Sequence, residues 1–175
     1  MRQIPRTDNP RTTHRAIVLA GLAGSLAEVL WIGLVLTLTP VSGEAVLRQI
    51  SASFFPAIVD SASAPALGLV IHFALGVGLA YGFWLCIWRP FVRSLGAQMM
   101  LYAAIFSLTV IWFLNFFVVL PVVNSGFVDL IPYAATLVSK ILFGIAMAAT
   151  LYVSSRASSA TVAKRAVGAH TPARA

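Results

Sequence analysis

Four long apolar blocks, separated by short polar or proline-containing breaks, dominate this sequence. Each block is about 20 residues long, the length at which a helix rising about 1.5 Å per residue crosses roughly 30 Å of hydrocarbon with its backbone hydrogen bonds satisfied internally. The predicted spans are approximately residues 16–38, 65–88, 98–120 and 132–153. We therefore expect an all-α membrane protein, in which residues 1–153 form one four-helix transmembrane bundle.

Prolines at the block boundaries support these limits. Pro65 and Pro132 stand at helix starts, where a missing N–H costs nothing, and we expect Pro40, Pro90 and Pro121 to follow helix ends. Only 10% of the residues are charged and 59% are apolar, so a soluble fold would leave most apolar side chains without a core. The lipid bilayer is accordingly the expected surroundings of the chain.

Basic residues are distributed unevenly between the two sides of the predicted bundle. The N-terminal arm, the loop between the second and third spans and the C-terminal tail carry ten Lys and Arg residues, whereas the loops of the opposite side carry only Arg48. Because Lys and Arg concentrate in cytoplasmic loops, we predict a bacterial inner-membrane protein with both termini in the cytoplasm. The net charge of +7 is then a topology signal, and nucleic acid is not an expected partner.

Two segments outside the spans have distinct patterns. Ser42 is a candidate N-cap, and the apolar residues that follow it at helical spacing predict a short amphipathic helix on the outer surface, about residues 43–55. Residues 154–175 are rich in Ala, Ser and basic residues, and we expect a disordered cytoplasmic tail there. Neither segment suggests a second domain.

Each predicted span contains one strongly polar residue at a similar distance from the outer surface. These residues are Glu28, His72, Asn115 and Lys140. A charge in hydrocarbon costs about 2.5 to 3.5 kcal/mol on insertion scales, so Glu28 and Lys140 need partners, and we predict an intramembrane polar cluster of all four residues. Nearby hydroxyls that would support the cluster belong to Ser25, Thr136 and Ser139.

The predicted cluster has two interpretations. In the first, Glu28 and Lys140 form a buried ion pair that sets helix register, with His72 and Asn115 as hydrogen-bonding partners. In the second, the same groups bind a proton, an ion or a polar ligand, as intramembrane ionisable residues do in relays and substrate sites. The sequence favours the first interpretation and leaves the second as the alternative.

Small residues spaced four apart predict faces where helices pack closely. The pairs are Ala20 with Gly24, Gly78 with Gly82, and Gly144 with Ala148. One such face would also suit a homodimer or a larger membrane complex. No catalytic residues, cofactor or metal site is expected, because the sequence has no phosphate-binding loop, zinc-binding histidine pair or haem motif, and Cys86 is its single cysteine.

Residues 21–31, GLAGSLAEVLW, and 115–144, NFFVVLPVVNSGFVDLIPYAATLVSKILFG, resemble an uncharacterised family of small four-helix proteobacterial inner-membrane proteins, sometimes labelled sodium:proline symporter-like. This resemblance covers most of residues 16–153 and implies the membrane class without an established activity. The plan also resembles small multidrug transporters, whose essential carboxylate in the first helix would correspond to Glu28. Lys140 departs from that pattern, because a fixed cation would compete with a cationic substrate.

The leading hypothesis from the sequence is a non-enzymatic accessory or assembly subunit of the inner membrane, held together by the Glu28 and Lys140 cluster. The alternative is a small oligomeric transporter or proton-coupled carrier that uses the same cluster.

Overall fold

The structure, a computed structural model, describes the backbone of residues 10–169 and the side chains of residues 13–92, 94 and 96–157. Four stretches are long and apolar enough to cross a membrane: Thr13–Leu36, Ala64–Val92, Gly96–Val123 and Tyr133–Ala157. The α-helices are α1 (Pro10–Leu36), α2 (Gly43–Ala52), α3 (Ala64–Phe83), α4 (Arg89–Leu114), α5 (Leu120–Val123), α6 (Ser125–Val128) and α7 (Tyr133–Ala169). The predicted fold class, an all-α bundle with four candidate spans, is confirmed, and the protein is a multi-pass membrane protein.

Pro90 and Pro121 do not follow helix ends, so that expectation was wrong. A π-helical turn precedes each proline, Trp84–Trp88 before Pro90 and Asn115–Val119 before Pro121. A proline inside an α-helix removes one hydrogen bond and clashes with the carbonyl four residues earlier, whereas a π-helical turn shifts the hydrogen-bond register and lets the chain stay helical. The second and third spans are separated instead at Gly96, whose φ of 67° suits glycine.

The four spans pack in the spatial order α3, α1, α7, α4, with the most extensive contact between α1 and α7. A buried apolar core fills the middle of the bundle and the end where α1 begins and α7 ends, which we call the termini side; it includes Ile17, Phe83, Met100, Phe143 and Met147. In the described part of the chain, α3 and α4 hardly touch each other beyond their connecting turn. The bundle is therefore closed on the termini side and open between α3 and α4 on the opposite side, the α2 side.

Helix α2 lies across the start of α3 and covers the end of the bundle on the α2 side, while the gap between α3 and α4 stays open at the side. The side chain of Ser42 accepts a hydrogen bond from the Ala45 N–H at 3.1 Å, so Ser42 is the N-cap as predicted. Ser51 donates from Oγ to the Ala64 carbonyl at 2.9 Å, and a Cβ at Gly68 would overlap the Leu47 carbonyl oxygen. Helix α2 is thus held firmly against α3.

Arg48, the basic residue of the first α2-side loop, organises that loop. Its Nη1 donates to the carbonyl oxygens of Val59 at 2.9 Å and Ser61 at 2.7 Å, while Nη2 lies 2.7 Å from Glu44 Oε1. Each bond from a charged donor to a backbone carbonyl is worth about 1.5 to 3 kcal/mol where it is shielded from water. Arg48 therefore has a local structural role that explains its position on the less basic side.

Helix α7 continues well past Val153, beyond which the sequence predicts a disordered tail, and reaches Ala169. Alanine has the highest helix propensity, and serine, lysine and arginine are compatible with a helix, so the composition of this segment favours continuation of α7. Residues 170–175 lie outside the described residues. The extension adds several turns to α7 beyond the core.

Candidate functional site

A buried ion pair joins the first and last spans. Lys140 Nζ lies 2.7 Å from Oε1 and 2.9 Å from Oε2 of Glu28. The Glu28 side chain is 5% exposed and the Lys140 side chain 17% exposed. Since both oxygens of the carboxylate bond one ammonium group, each charge is compensated locally and neither is left alone in the apolar interior.

Small residues bring α1 and α7 close enough for this pair to form. A Cβ on Gly24 would come within 2.8 Å of the Phe143 ring, and Ala20 one turn earlier is completely buried. On the other face of α7, a Cβ at Gly144 would lie 3.3 Å from the Ala104 backbone, and Ala148 is also buried. Two of the three predicted small-residue pairs therefore lie at helix contacts within the chain.

Hydroxyl groups from the first turns of α7 extend the network. Ser139 Oγ donates to Glu28 Oε1 at 3.0 Å and also lies 2.7 Å from the Thr136 carbonyl oxygen. Thr136 Oγ1 accepts a hydrogen bond from Trp112 Nε1 at 2.9 Å and donates to the Tyr133 carbonyl at 2.9 Å. The carboxylate of Glu28 is thus linked through α7 to α4, and its orientation is constrained from two sides.

His72 lies on the neighbouring helix α3 but bonds a different group from the one expected. Its Nε2 lies 3.2 Å from the Ser25 carbonyl oxygen, so Nε2 carries the hydrogen and donates it. Because Gly76 and Gly21 allow α3 and α1 to touch backbone to backbone, His72 is drawn to the α1 main chain. The structure therefore brings His72 beside the ion pair without a bond to it.

Ser25 does not support the Glu28 carboxylate as expected. Its side chain is completely buried against Gly76, where a Cβ would overlap Ser25 Oγ. Among the described residues, Oγ of Ser25 has no hydrogen-bond partner. Ser25 Oγ therefore lies at the contact of α1 with α3, beside Gly76, while the carboxylate of Glu28 is bonded by Ser139 and Lys140 of α7.

Asn115 and the other three polar residues border one cavity of about 520 Å³ on the α2 side. Asn115 begins the second π-helical turn and, within the described residues, its side-chain amide has no hydrogen-bond partner. The cavity walls are otherwise mostly apolar, and its volume lies in the usual range of about 300 to 1,000 Å³ for small-molecule sites. The predicted cluster is thus a set of groups around a cavity and not one continuous hydrogen-bond network.

Gly78 and Gly82 lie away from every helix contact in the described part of the chain. A Cβ at either position would have no heavy atom within 4 Å, so this pair does not pack against another helix of the described chain, and a contact of this face with a second copy stays a prediction. Gly68, Gly76 and Ala80 occupy the packed face of α3 instead. Helix α3 has apolar residues on all its sides and small residues on two of its faces, so the sequence did not distinguish which of these two faces packs against another helix.

Metal ligands are not grouped in the described residues: no three His, Cys, Asp or Glu side chains lie close enough to hold an ion. Cys86 is an exposed thiol on the first π-helical turn. Among the described residues, the cavity and its polar border are therefore the strongest candidate for a functional site.

Several features of the site have no clear signal in the sequence. Asn124 Nδ2 donates to the Gln49 carbonyl at 2.9 Å and lies 3.0 Å from Ser53 Oγ, which ties the α5–α6 junction to α2. Trp31 Nε1 donates to the Ala135 carbonyl at 2.9 Å and ties α1 to α7. For Trp31, the sequence indicated only that a buried indole N–H needs a hydrogen-bond acceptor, without indicating which one.

No family model matches this sequence, and comparisons with curated proteins and with solved structures gave no match. The resemblance to small proteobacterial inner-membrane proteins therefore stays a prediction.

Proposed function

We propose that this protein is a non-enzymatic binding protein of the bacterial inner membrane, which takes a molecule dissolved in the bilayer into the cavity on its α2 side. The observation that carries the proposal is the cavity of about 520 Å³ with apolar walls, bordered by the Glu28–Lys140 ion pair. A mostly apolar cavity with a few polar groups is the usual form of a small-molecule site. An accessory role in a larger complex or a homodimer is compatible with such binding.

The orientation belongs to the same proposal. Arg15, Arg89 and Arg156 flank the termini side of the candidate spans, whereas Arg48 on the α2 side is engaged by Glu44 and two backbone carbonyls. Concentration of basic residues on one side supports termini in the cytoplasm and α2 on the outer side. The cavity then lies in the outer half of the membrane.

The ion pair fits a structural role in this binding protein better than a role in chemistry. Glu28 accepts bonds from Lys140 and Ser139, so its carboxylate is not free to act as a general base. Breaking a buried pair by removing one partner costs about 3 to 5 kcal/mol, because the other charge is left uncompensated. The pair holds α1 against α7 and thereby fixes the part of the cavity wall that these two helices form.

A small transporter or proton-coupled carrier is the second candidate function. Partial exposure of Lys140 at the cavity supports it, since a charged group that a ligand can reach is a common element of transport sites. Transport further requires the packed core on the termini side to open, and that core includes completely buried Ile17, Met100 and Met147. Flux of a bound compound across liposomes separates this candidate from a protein that only binds.

Binding in the cavity is tested with aminoanthracene, an apolar fluorophore that brightens in dry protein sites, added to detergent-purified protein. Gly33 borders the cavity, and a Cβ at this position would have no heavy atom within 4 Å, so Gly33→Phe introduces its Cβ without a clash and its ring is expected to occupy part of the cavity. Gly82→Phe is the matched control, because Gly82 has the same open surroundings and lies outside the cavity. We expect a saturable signal in the wild type and in Gly82→Phe that is lost in Gly33→Phe; equal signals in all three contradict the proposal.

A further inference from the structure

The separation of α3 from α4 gives the cavity an opening at its side. Helices α3 and α4 separate on the α2 side, and two cavity residues, Leu75 on α3 and Val119 in the π-helical turn after α4, are 48% and 47% exposed. Above the gap, α2 and the α5–α6 junction are tied together by Asn124 and form a roof. Because the side opening is bordered by apolar side chains at the depth of the membrane, a ligand that reaches it must first dissolve in lipid.

The charges at the cavity cancel. Glu28 and Lys140 are bonded to each other, and neither His72 nor Asn115 adds a carboxylate or a fixed cation to the lining. A ligand with a net charge would enter apolar surroundings without a counter-ion, or would have to separate the existing pair, and both are costly. The cavity therefore suits an uncharged molecule.

Hydrogen-bonding capacity remains at three places on the lining. An ammonium group has three donors, and Lys140 directs bonds to the two oxygens of Glu28, so it retains donor capacity at its exposed edge. The Asn115 amide has no partner among the described residues. In a neutral imidazole whose Nε2 donates to Ser25, Nδ1 of His72 remains an acceptor. Lys140 and Asn115 can therefore donate to a carbonyl or hydroxyl oxygen, and Asn115 and His72 can accept from a hydroxyl.

We infer that the cavity binds an uncharged lipophile that carries a carbonyl or hydroxyl group, with its apolar body against the walls and its oxygen toward Lys140 and Asn115. This assignment rests on the proposed binding function and adds the chemical class of the ligand. His72 and Asn115 stand on α3 and on the turn after α4, the two sides of the opening, so they are positioned to discriminate among molecules that enter.

Displacement of aminoanthracene by three probes with similar alkyl chains tests the assignment: decyl-substituted benzoquinone, decylbenzene and decanoate. We expect the quinone to displace the fluorophore at the lowest concentration, because its carbonyl oxygens meet the donors of the lining. Asn115→Leu keeps a side chain of similar size and removes the amide; it is expected to weaken quinone displacement by roughly three- to tenfold while leaving decylbenzene unchanged, the effect of one hydrogen bond.

The outcomes separate the ligand class from the cavity itself. Equal displacement by quinone and decylbenzene, unaffected by Asn115→Leu, retains the binding cavity and overturns the inference about polar recognition. Preferential displacement by decanoate overturns the inference in favour of an anionic ligand. If no saturable fluorophore signal is seen, the proposed binding function is overturned. The ligand class is tested independently by direct binding of radiolabelled decyl-benzoquinone to the protein in nanodiscs. If the quinone does not bind there, the inferred ligand class is overturned.

Discussion

Lys140 on α7 contacts both carboxylate oxygens of Glu28 on α1, at 2.7 and 2.9 Å, and so joins the two most extensively packed helices of the bundle beside its cavity. The pair compensates two charges that the membrane would otherwise penalise. Because it lies at the border of an open space and not inside the packed core, the same interaction both holds two helices together and faces the space where a ligand would bind.

Replacing one member of this pair is expected to be worse than replacing both. Lys140→Met leaves Glu28 buried without its counter-ion and should destabilise the protein by about 3 to 5 kcal/mol, and Glu28→Gln should destabilise it in the same direction. The Glu28→Gln/Lys140→Met double variant should recover much of the loss. Thermal unfolding of the purified variants in one detergent measures this coupling. Equal melting temperatures in all four proteins would show that the pair contributes nothing to folding.

A methyl group at Gly76 is expected to force α1 and α3 apart. A Cβ there would overlap Ser25 Oγ and also approach the Phe143 ring at 3.2 Å, so Gly76→Ala should cost about 1 to 3 kcal/mol. Gly78→Ala is the matched control, because position 78 on the same helix is open and alanine is favoured in a helix. A melting temperature that both substitutions lower equally would contradict the assignment of the Gly76 face of α3 to the contact with α1.

The roof over the cavity is expected to loosen when Asn124 is shortened. Asn124→Ala removes the bonds to the Gln49 carbonyl and to Ser53 Oγ, and each is worth about 0.5 to 1.5 kcal/mol. Bound aminoanthracene should then dissociate faster, and the melting temperature should fall because two hydrogen bonds are lost. Stopped-flow dilution measures the rate, with Ser125→Ala as a neighbouring exposed control. An unchanged rate would show that α2 and the α5–α6 junction do not restrict the cavity.

Orientation is accessible to cysteine labelling in a Cys86→Ala background. Ala57 is exposed on the loop after α2, and Ser94 is exposed near the turn between the second and third spans. A membrane-impermeant maleimide should label Ala57→Cys in intact spheroplasts and Ser94→Cys only after permeabilisation, since the basic loops are predicted to be cytoplasmic. The reverse pattern would place the cavity in the inner half of the membrane.

Hydropathy and charge alone were sufficient to predict the four spans, because burying about 20 apolar residues in lipid leaves a helix few alternatives. The partnership of Glu28 with Lys140 was predictable for a similar reason: two opposite charges at similar depth on antiparallel helices have strong cause to meet. The helical continuation through Pro90 and Pro121 was not, since it depends on π-helical turns whose register shift hydropathy does not encode.

The rotation of each helix about its axis was decided only by tertiary packing. Helix α3 is apolar all round, so its composition did not distinguish the face with Gly76, which contacts α1, from the face with Gly78 and Gly82, which contacts no other helix in the described chain. For the same reason the sequence did not predict that α3 and α4 separate, and so it did not predict the cavity. In lipid, apolar faces are equally soluble, and close steric fit between particular side chains selects the arrangement.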